Sequence, residues 1–209
     1  LLADRLLLRP RDAVEIEGYS GLTVIGRGAS SIVFRAHEVE FARNVAIKVL
    51  TDGFAGADER RAFERECRAI GSLDHPDIVR VYRAVYTRDG RPGIAMELYA
   101  GNLREELDER RGPLGVADVL EIGVRMAVAL HVAHSRSILH RDVKPHNIFR
   151  SVWGEPALGD FGIARAEHEM TARAAGAMSP AYAAPEVLAD QAATVHTDVY
   201  ALGATLYHL

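Results

Sequence analysis

One segment organises this chain: His140-Arg141-Asp142-Val143-Lys144-Pro145-His146-Asn147. It places a carboxylate, an ammonium group and a carboxamide between Asp142 and Asn147. Pro145 has no backbone N–H, so the segment cannot be the interior of a helix. A helix-periodic apolar segment precedes it, and the apolar pair Ile148-Phe149 follows it. A rigid loop that carries an acid, a base and a metal-type ligand between two packed elements is a candidate catalytic loop.

The composition narrows the class of protein. With 209 residues, the chain is long enough for one large domain or for two small lobes that share a cleft. The net charge of −4 argues against a nucleic-acid binder, because phosphate contacts need excess Lys and Arg. Cys67 is the single cysteine of the sequence, which excludes disulfide frameworks and cysteine-based zinc sites.

The two ends of the chain suggest a larger protein. No apolar run approaches the roughly 20 residues of a membrane span, so we expect no membrane segment in this chain and a cytoplasmic location. The sequence starts at Leu1 without Met, and the last predicted helix runs to Leu209 without a stop signal. We therefore expect both ends to be interior to a longer protein, in which other parts can provide a membrane anchor.

Hydrophobic periodicity predicts an α+β fold with two lobes. Residues 1–20 form a lead-in segment without a fold signal. Residues 21–98 mostly alternate at period two, which predicts five strands, with one helix from about Asp58 to Leu73. Residues 99–209 are mainly helix-periodic, and this lobe looks incomplete at its end. The boundary near residues 98–102 is a predicted hinge, and such interfaces are where ligand clefts usually form.

Two of the predicted helices have defined apolar faces. In the first, Phe63, Glu66, Ile70 and Leu73 recur at the spacing of one helix face. The second is predicted from Val116 to Ser135. Its apolar residues recur with a period of 3.6 at Val116, Leu120, Val124, Ala127 and Leu130.

The glycine-rich segment at residues 26–33 reads Gly-Arg-Gly-Ala-Ser-Ser-Ile-Val. Closely spaced glycines let a backbone approach phosphate oxygens and donate N–H bonds to them. A plain hairpin turn explains this segment equally well. A dinucleotide-binding fingerprint is disfavoured because a predicted strand follows, and a P-loop is excluded because no Gly-Lys-Ser/Thr follows.

Two charged residues of the first lobe stand in apolar surroundings. Lys48 belongs to a predicted buried strand, and the small Ala46 on the same face leaves room for a flat ligand. Glu66 falls within the apolar stripe of its helix, where an uncompensated carboxylate would cost several kcal/mol. Lys48 is its natural partner. The alternatives are a lysine that snorkels at a strand end and a rotated helix that leaves Glu66 in solvent.

Asp160-Phe161-Gly162 supplies a further carboxylate after the central segment. Together, Asp160 and Asn147 offer the oxygen donors that Mg²⁺ prefers, usually one or two carboxylates completed by substrate phosphates. Taken alone, this tripeptide is equally compatible with a turn that has an apolar anchor.

These motifs together resemble a known family. Six of them occur in the order found in eukaryotic-type protein kinases, and the match extends over roughly Leu22 to Leu209. The central segment and Asp-Phe-Gly-Ile-Ala-Arg resemble those of bacterial Ser/Thr kinases. The motifs are Gly26-x-Gly28, Val45-Ala46-Ile47-Lys48, Glu66, His140 to Asn147, Asp160-Phe161-Gly162 and Ala184-Pro185-Glu186.

The resemblance implies a two-lobed kinase fold, with a five-stranded antiparallel N-lobe at 21–98 and a C-lobe at 99–209, and it implies a nucleotide site for ATP. Lys48, held by Glu66, would contact the α- and β-phosphates, and Met96 would lie behind the adenine. The implied nucleotide-binding residues are Ile25, Gly26, Arg27, Gly28, Ala29, Ser30, Ser31, Val33, Ala46, Lys48, Met96, Glu97, Tyr99 and Phe149.

The resemblance also implies the catalytic roles. Asp142 would orient the substrate hydroxyl and accept its proton, and Lys144 would neutralise the transferred phosphoryl group. Asn147 and Asp160 would hold Mg²⁺, and Asp198 would brace the backbone of the catalytic loop. Together with Lys48 and Glu66, these residues imply phosphoryl transfer from ATP to Ser or Thr of protein substrates.

Regulation is implied by Arg141, which precedes Asp142. In this subclass an activation-loop phosphate binds the arginine, and Thr171 is the candidate for autophosphorylation, which would proceed in trans if two copies associate. We expect Thr171→Ala to lower activity while ATP binding persists. Ser179 matches a substrate-positioning position of the family.

Three departures from the family pattern carry weight. Ser31 replaces the third glycine of the phosphate loop, and Met178 replaces a usual glycine. The family's C-lobe continues beyond Leu209 and supplies an arginine partner for Glu186, so we expect Glu186 to lack that partner here. Ser31 and the early end of the C-lobe leave a nucleotide-binding pseudokinase or regulatory scaffold as the main alternative, whereas Met178 bears on substrate docking. A small-molecule kinase is a second alternative, disfavoured by Ala184-Pro185-Glu186.

Overall fold

The computed structural model describes residues 14–54, 56–161 and 180–209. The chain divides into two compact units. The first comprises Leu1–Gly71 and Val81–Leu98, and the second comprises Ser72–Arg80 and Tyr99–Leu209. None of the described helices combines the length and the apolar character that a membrane crossing requires.

In its described residues, the first unit is an antiparallel sheet with one helix, as predicted. Its sheet has the order β1-β2-β3-β5-β4, and each neighbouring pair is antiparallel. Its elements are β1 (Tyr19–Arg27), β2 (Ser31–Glu38), β3 (Arg43–Leu50), α1 (Ala57–Gly71), β4 (Val81–Tyr86) and β5 (Pro92–Glu97).

Side-chain alternation gives this sheet one apolar face that forms a core. Phe34, Val45 and Ile47 are fully buried on that face, together with Ile32 and Val49. Burial of such side chains contributes roughly 1.5–3 kcal/mol each. The opposite face is thereby left for other contacts.

The predicted face of α1 is largely confirmed. Phe63 and Ile70 are buried in the helix, and Leu73 is buried just beyond it. Cys67 completes the buried stripe, and burial raises the pKa of its thiol to about 12. Glu66 lies at the edge of the stripe and is only partly buried.

The second unit is mainly helical and has a small three-stranded sheet of order β6-β7-β8. A 3-10 turn at Pro145–Asn147 starts at the proline, whose missing N–H needs no partner there. The other elements are β6 (Gly101–Asn102), α2 (Leu103–Arg110), α3 (Val116–Ser135), β7 (Ile148–Arg150), β8 (Pro156–Leu158), α4 (Pro185–Leu188) and α5 (Val195–His208).

Residues 72–80 group with the second unit. The sequence placed all of 21–98 in the first lobe, whereas this segment groups with the second unit. The Val79 N–H donates to the Leu158 carbonyl at 2.9 Å, and the Leu158 N–H donates to the Asp77 carbonyl at 2.8 Å. The Asp77 carboxylate also accepts a hydrogen bond from Arg125 Nε of α3 at 2.8 Å. Backbone pairing with β8, which the local sequence does not encode, therefore sets the boundary.

The bounds predicted for α3 are confirmed, but its predicted apolar face is wrong. Val116, Leu120 and Val124 are 77%, 65% and 67% exposed, and Ala127 is also exposed, so Leu130 alone of the five predicted positions is buried. The helix is apolar nearly all round, so periodicity did not identify its packed side. The buried residues of α3 are Ile122, Gly123, Met126, Ala129, Leu130 and Ala133.

Candidate catalytic and nucleotide site

The catalytic-loop candidates meet in the second unit. Lys144 Nζ lies 2.7 Å from Asp142 Oδ2. Asn147 Nδ2 donates to the same Oδ2 at 3.0 Å and to the Asp142 carbonyl at 2.7 Å. The Asp142 side chain is 27% exposed, while Asn147 is buried. The Asp142 carboxylate is therefore fixed and accessible, with the Lys144 ammonium group beside it.

Asp198 of α5 braces the backbone just before this carboxylate. Its Oδ2 accepts the His140 N–H at 2.8 Å, and its Oδ1 accepts the Arg141 N–H at 2.7 Å. His134 Nε2 lies 2.7 Å from the same Oδ2. Arg141 has a φ of 69°, which a non-glycine residue adopts only under constraint. The predicted bracing role of Asp198 is thus confirmed, and its carboxylate is almost fully buried.

His140 joins the catalytic loop to the Asp160 motif. Its Nε2 lies 2.8 Å from the Gly159 carbonyl, and its Nδ1 lies 3.2 Å from the Asp142 N–H. A carbonyl only accepts and an N–H only donates, so the ring is neutral and carries its hydrogen on Nε2. Full burial lowers the pKa of His140, which is consistent with this state. The ring centroid also lies 4.6 Å from that of the buried Phe161.

The two predicted metal ligands, Asn147 and Asp160, lie on neighbouring backbone segments. The Gly159 N–H donates to the Asn147 carbonyl at 2.9 Å, which brings the residue before Asp160 to the 3-10 turn. Asn147 directs its NH₂ to Asp142, so its carboxamide oxygen remains as a metal donor. Asp160 adds a carboxylate on a backbone with a φ of 61°. This pair of oxygen donors fits Mg²⁺ that is shared with phosphates.

Tyr99 and Phe149, two of the predicted nucleotide-binding residues, form an aromatic pair in the second unit. The rings of Tyr99 and Phe149 lie 6.0 Å apart, and both side chains are partly exposed. Gly159 permits this arrangement, since a Cβ there would lie 2.8 Å from Phe149 Cε2 and 2.8 Å from Val79 Cγ2. The nearby Asn102 pairs with Phe149 across β6 and β7.

In the first unit, the predicted nucleotide residues of β2, β3 and β5 share one sheet face. Val33 pairs directly with Lys48, and Ala46 pairs directly with Met96. Directly paired residues project to the same side of a sheet, and this side is opposite to Phe34 and its core. Ala46 and Met96 are buried, whereas Val33 and Lys48 are partly exposed.

The glycine-rich segment forms the hairpin between β1 and β2. The Gly28 N–H donates to the Ser31 carbonyl at 2.8 Å, and the Ser30 carbonyl accepts the Thr51 N–H at 2.9 Å. A Cβ on Gly26 would meet Val33 only at the ordinary distance of 3.6 Å, so the hairpin itself has room for a side chain there. The remaining predicted residues line the same hairpin: Ile25 and Arg27 in β1, and Ala29 in the turn.

Comparison with known proteins identifies the family. The protein kinase domain model matches residues 19–209. The chain belongs to the protein kinase family. It is 46% identical to the serine/threonine-protein kinase PknK of Mycobacterium tuberculosis, over 91% of this chain and 17% of that protein. It is 37% identical to PrkC of Bacillus subtilis, over 91% of this chain and 30% of PrkC.

A solved structure agrees with the fold. The crystal structure of a single-residue mutant of the Mycobacterium tuberculosis PknI kinase domain matches with a TM-score of 0.76 and 32% identity, over 98% of this chain and 77% of that chain. The predicted family and the predicted kinase-like α+β fold are therefore confirmed. The chain spans less than a third of the curated relatives PknK and PrkC.

Several kinase-site predictions remain predictions. Lys48 and Glu66 are both partly buried in the first unit, and their pairing stays a prediction. Glu97 is the last residue of β5 and its side chain is exposed. The adenine contact that the resemblance implies for Glu97 is made by its backbone, and it stays a prediction. The predictions for Gly162, Thr171, Met178 and Ser179 lie outside the described residues.

Glu186 of the kinase motif has a contact that the sequence analysis did not predict. The Thr197 hydroxyl of α5 donates to Glu186 Oε1 at 2.8 Å, while the expected absence of the family's arginine partner stays a prediction. Its own backbone N–H and then this hydroxyl lower the pKa of Glu186. Thr197 also accepts the Thr194 N–H at 2.9 Å within a capping box. The Thr-x-x-Thr pattern before an apolar helix was a usable signal for this cap.

Sequence reasoning missed the histidine contacts. His134 belongs to none of the six motifs, yet it bonds the bracing carboxylate of Asp198. His140 was quoted only as part of its motif, yet it links that motif to Gly159. No local signal identifies either contact, since both span many residues of sequence.

Proposed function

We propose that the chain is the catalytic domain of an ATP-dependent protein serine/threonine kinase. The observation that carries this proposal is the accessible Asp142 carboxylate, with Lys144 at 2.7 Å and a backbone braced by Asp198. A pseudokinase needs no such group, whereas phosphoryl transfer depends on positioning and charge neutralisation. The relatives named as serine/threonine-protein kinases support the same interpretation.

The second unit supplies the groups for transfer. Asp142 would accept a hydrogen bond from the substrate Ser or Thr hydroxyl, align its oxygen and take its proton as the bond to phosphorus forms. Lys144 would place its charge against the transferred phosphoryl oxygens, where negative charge is spread in the transition state. Asn147 and Asp160 would hold Mg²⁺, which supplies charge neutralisation of the phosphates when bound.

The first unit supplies nucleotide contacts. Lys48, oriented by Glu66, would contact the α- and β-phosphates of ATP. The Gly26–Val33 hairpin would cover the phosphates with backbone N–H groups. In the hairpin itself a Cβ on Gly26 would fit, so the absence of a side chain there suits the approach of a ligand. Activation by phosphorylation of Thr171, received by the exposed Arg141, and self-association for phosphorylation in trans complete the proposal.

The test is phosphate transfer from labelled ATP to a mixture of Ser- and Thr-containing peptides. Asp142→Asn should lower kcat by about 100-fold or more while nucleotide binding persists. The matched control is Asp190→Asn, the same change at an exposed carboxylate, which should keep full activity. Nucleotide binding by the wild type without any transfer would instead support the pseudokinase.

A further inference from the structure

A group of cationic and imidazole side chains lies beside the catalytic loop and has no part in the mechanism above. Arg104 of α2, His146 of the 3-10 turn and His208 at the end of α5 form what we term the Arg104–His146–His208 rim. All three residues belong to the second unit. His146 stands between Lys144 and Asn147 in sequence, so the rim begins within two residues of the groups that would transfer phosphate.

Arg104 is held in a fixed position on the rim. Its Nη2 donates to Asp108 Oδ1 at 2.5 Å, and its Nε donates to Asp108 Oδ2 at 3.1 Å. Its Nη1 lies 3.4 Å from His208 Nε2. A guanidinium has five N–H groups, so two of them remain after these contacts among the described residues. They are available to an incoming anion without rearrangement of the side chain.

His208 connects the rim to the segment before Ala184-Pro185-Glu186. Arg104 donates to its Nε2, so a neutral His208 carries its hydrogen on Nδ1 and donates to the Tyr182 hydroxyl at 2.7 Å. The two rings also stack, with centroids 5.7 Å apart. The rim therefore reaches from α2 to the segment that leads into Ala184-Pro185-Glu186.

His146 and His208 are the exposed members of the rim, and Arg104 is partly buried. Partial removal of the His146 ring from water, followed by the positive charges of Lys144 and Arg104, lowers the pKa of His146. Helix α2, which carries Arg104, packs against the 3-10 turn that carries His146. The facing carboxylates, Asp142 and Asp108, are already paired with Lys144 and Arg104 respectively. A basic substrate residue would find no uncommitted carboxylate among these groups.

We propose that the Arg104–His146–His208 rim binds a negatively charged side chain of the protein substrate, and that the kinase therefore prefers acceptor sites with an acidic or phosphorylated residue nearby. The proposal rests on the kinase function proposed above and adds the substrate class. The two spare N–H groups of Arg104 suit the paired oxygens of a carboxylate or phosphate.

The test compares kcat/KM for peptides that differ in a single residue near the acceptor serine. Each position on either side of the acceptor carries Glu, Gln, Lys or phosphoserine in turn. We expect at least one position at which Glu exceeds Gln by about five- to tenfold and Lys falls below Gln. Phosphoserine should exceed Glu if the rim prefers a doubly charged group, and the preference should shrink at high salt.

Two variants with opposite expected effects separate recognition from simple support of the fold. Arg104→Gln combined with His146→Gln should reduce the Glu-to-Gln ratio to about one, while kcat/KM for the Gln peptide stays unchanged. Asp108→Asn should raise the ratio, because it removes the negative charge that competes for Arg104. The matched control is Arg80→Gln, which removes an exposed Arg–Asp pair elsewhere in the second unit and should leave the ratio unaltered.

The outcomes distinguish this proposal from the proposed function. A wild-type ratio of one or less at every position, with clear transfer to the Gln peptides, would overturn the rim proposal and leave the kinase function standing. Loss of rate on all peptides alike in the double variant, or a lower ratio in Asp108→Asn, would also overturn it. No transfer to any peptide by the wild type would overturn the kinase function itself.

Discussion

Replacement of Asp198 by Asn is the sharpest test of how the catalytic loop is held. The buried carboxylate accepts three hydrogen bonds, from the N–H groups of His140 and Arg141 and from His134 Nε2. A carboxamide has one oxygen, so its NH₂ must turn towards at least one of these donors. Hydrogen bonds to a charged group contribute about 1.5–3 kcal/mol each, and an unsatisfied buried N–H costs a further ~1–3 kcal/mol.

From these contacts we expect Asp198→Asn to lose about 3 kcal/mol of unfolding free energy in the second unit. For a chain of this size each kcal/mol corresponds to roughly 2–4 °C, so Tm should fall by about 6–12 °C. The effect on activity should be larger than the effect on folding. Arg141 would be released from its left-handed conformation, and Asp142 follows it directly; a displacement of about 1 Å there can cost ~100-fold in kcat.

Three measurements check this expectation together. Thermal unfolding gives the loss of stability, and steady-state kinetics give kcat below the melting transition. Hydrogen exchange at the amides of His140 and Arg141 reports directly which of these bonds is broken. Asp190→Asn is the control, since Asn tolerates the left-handed φ of 56° at that exposed position and should change stability by less than about 0.5 kcal/mol. Unchanged exchange protection in Asp198→Asn would refute the bracing argument.

Two further predictions follow from buried contacts near the site. Burial lowers the pKa of His140 in the folded protein. The neutral ring therefore contributes its full stability above the unfolded pKa of about 6.5. This stability is lost as pH falls through that value towards the folded pKa. Unfolding free energy measured between about pH 8 and pH 5 should show this loss in the wild type and in the exposed control His37→Gln but not in His140→Gln; an equal acid slope in all three would contradict it. Gly159→Ala should destabilise by about 1–3 kcal/mol and weaken ATP binding, because its Cβ would lie 2.8 Å from the Phe149 ring. Calorimetry should find Gly203→Ala, where nothing lies within 4 Å, neutral or stabilised by about 0.5–1 kcal/mol, and equal Tm values for the two variants would argue against the clash.

Short-range spacing explains why the catalytic cluster could be predicted from sequence. One short loop, which Pro145 prevents from being helical, contains Asp142, Lys144 and Asn147. Because these residues are close in sequence, their side chains come into contact. The strands of the first unit were predictable for a similar reason. Alternation at period two states which residues share a face, and the pairing of Ala46 with Met96 follows from it.

Packing choices that depend on distant partners could not be predicted in the same way. Helix α3 is apolar on most sides, and only its neighbours decide that Met126 is buried while Val124 is 67% exposed. Gly123 shows one such neighbour, because a Cβ there would lie 3.0 Å from Leu206 Cδ1 of α5. The assignment of residues 72–80 to the second unit likewise depends on backbone hydrogen bonds to β8, which no local sequence pattern predicts.

Two backbone conformations at the site run against local preference, and this has a physical meaning. Arg141 and Asp160 both have left-handed backbones that disfavour their residue types, at a cost of about 1–3 kcal/mol each. Such conformations persist only when surrounding bonds over-determine them. Asp198 fixes the first through two backbone N–H groups, and His140 holds the Gly159 carbonyl that precedes the second. Because folding alone gains nothing from either conformation, their retention by buried polar groups is itself an argument that this loop is built to position reacting groups.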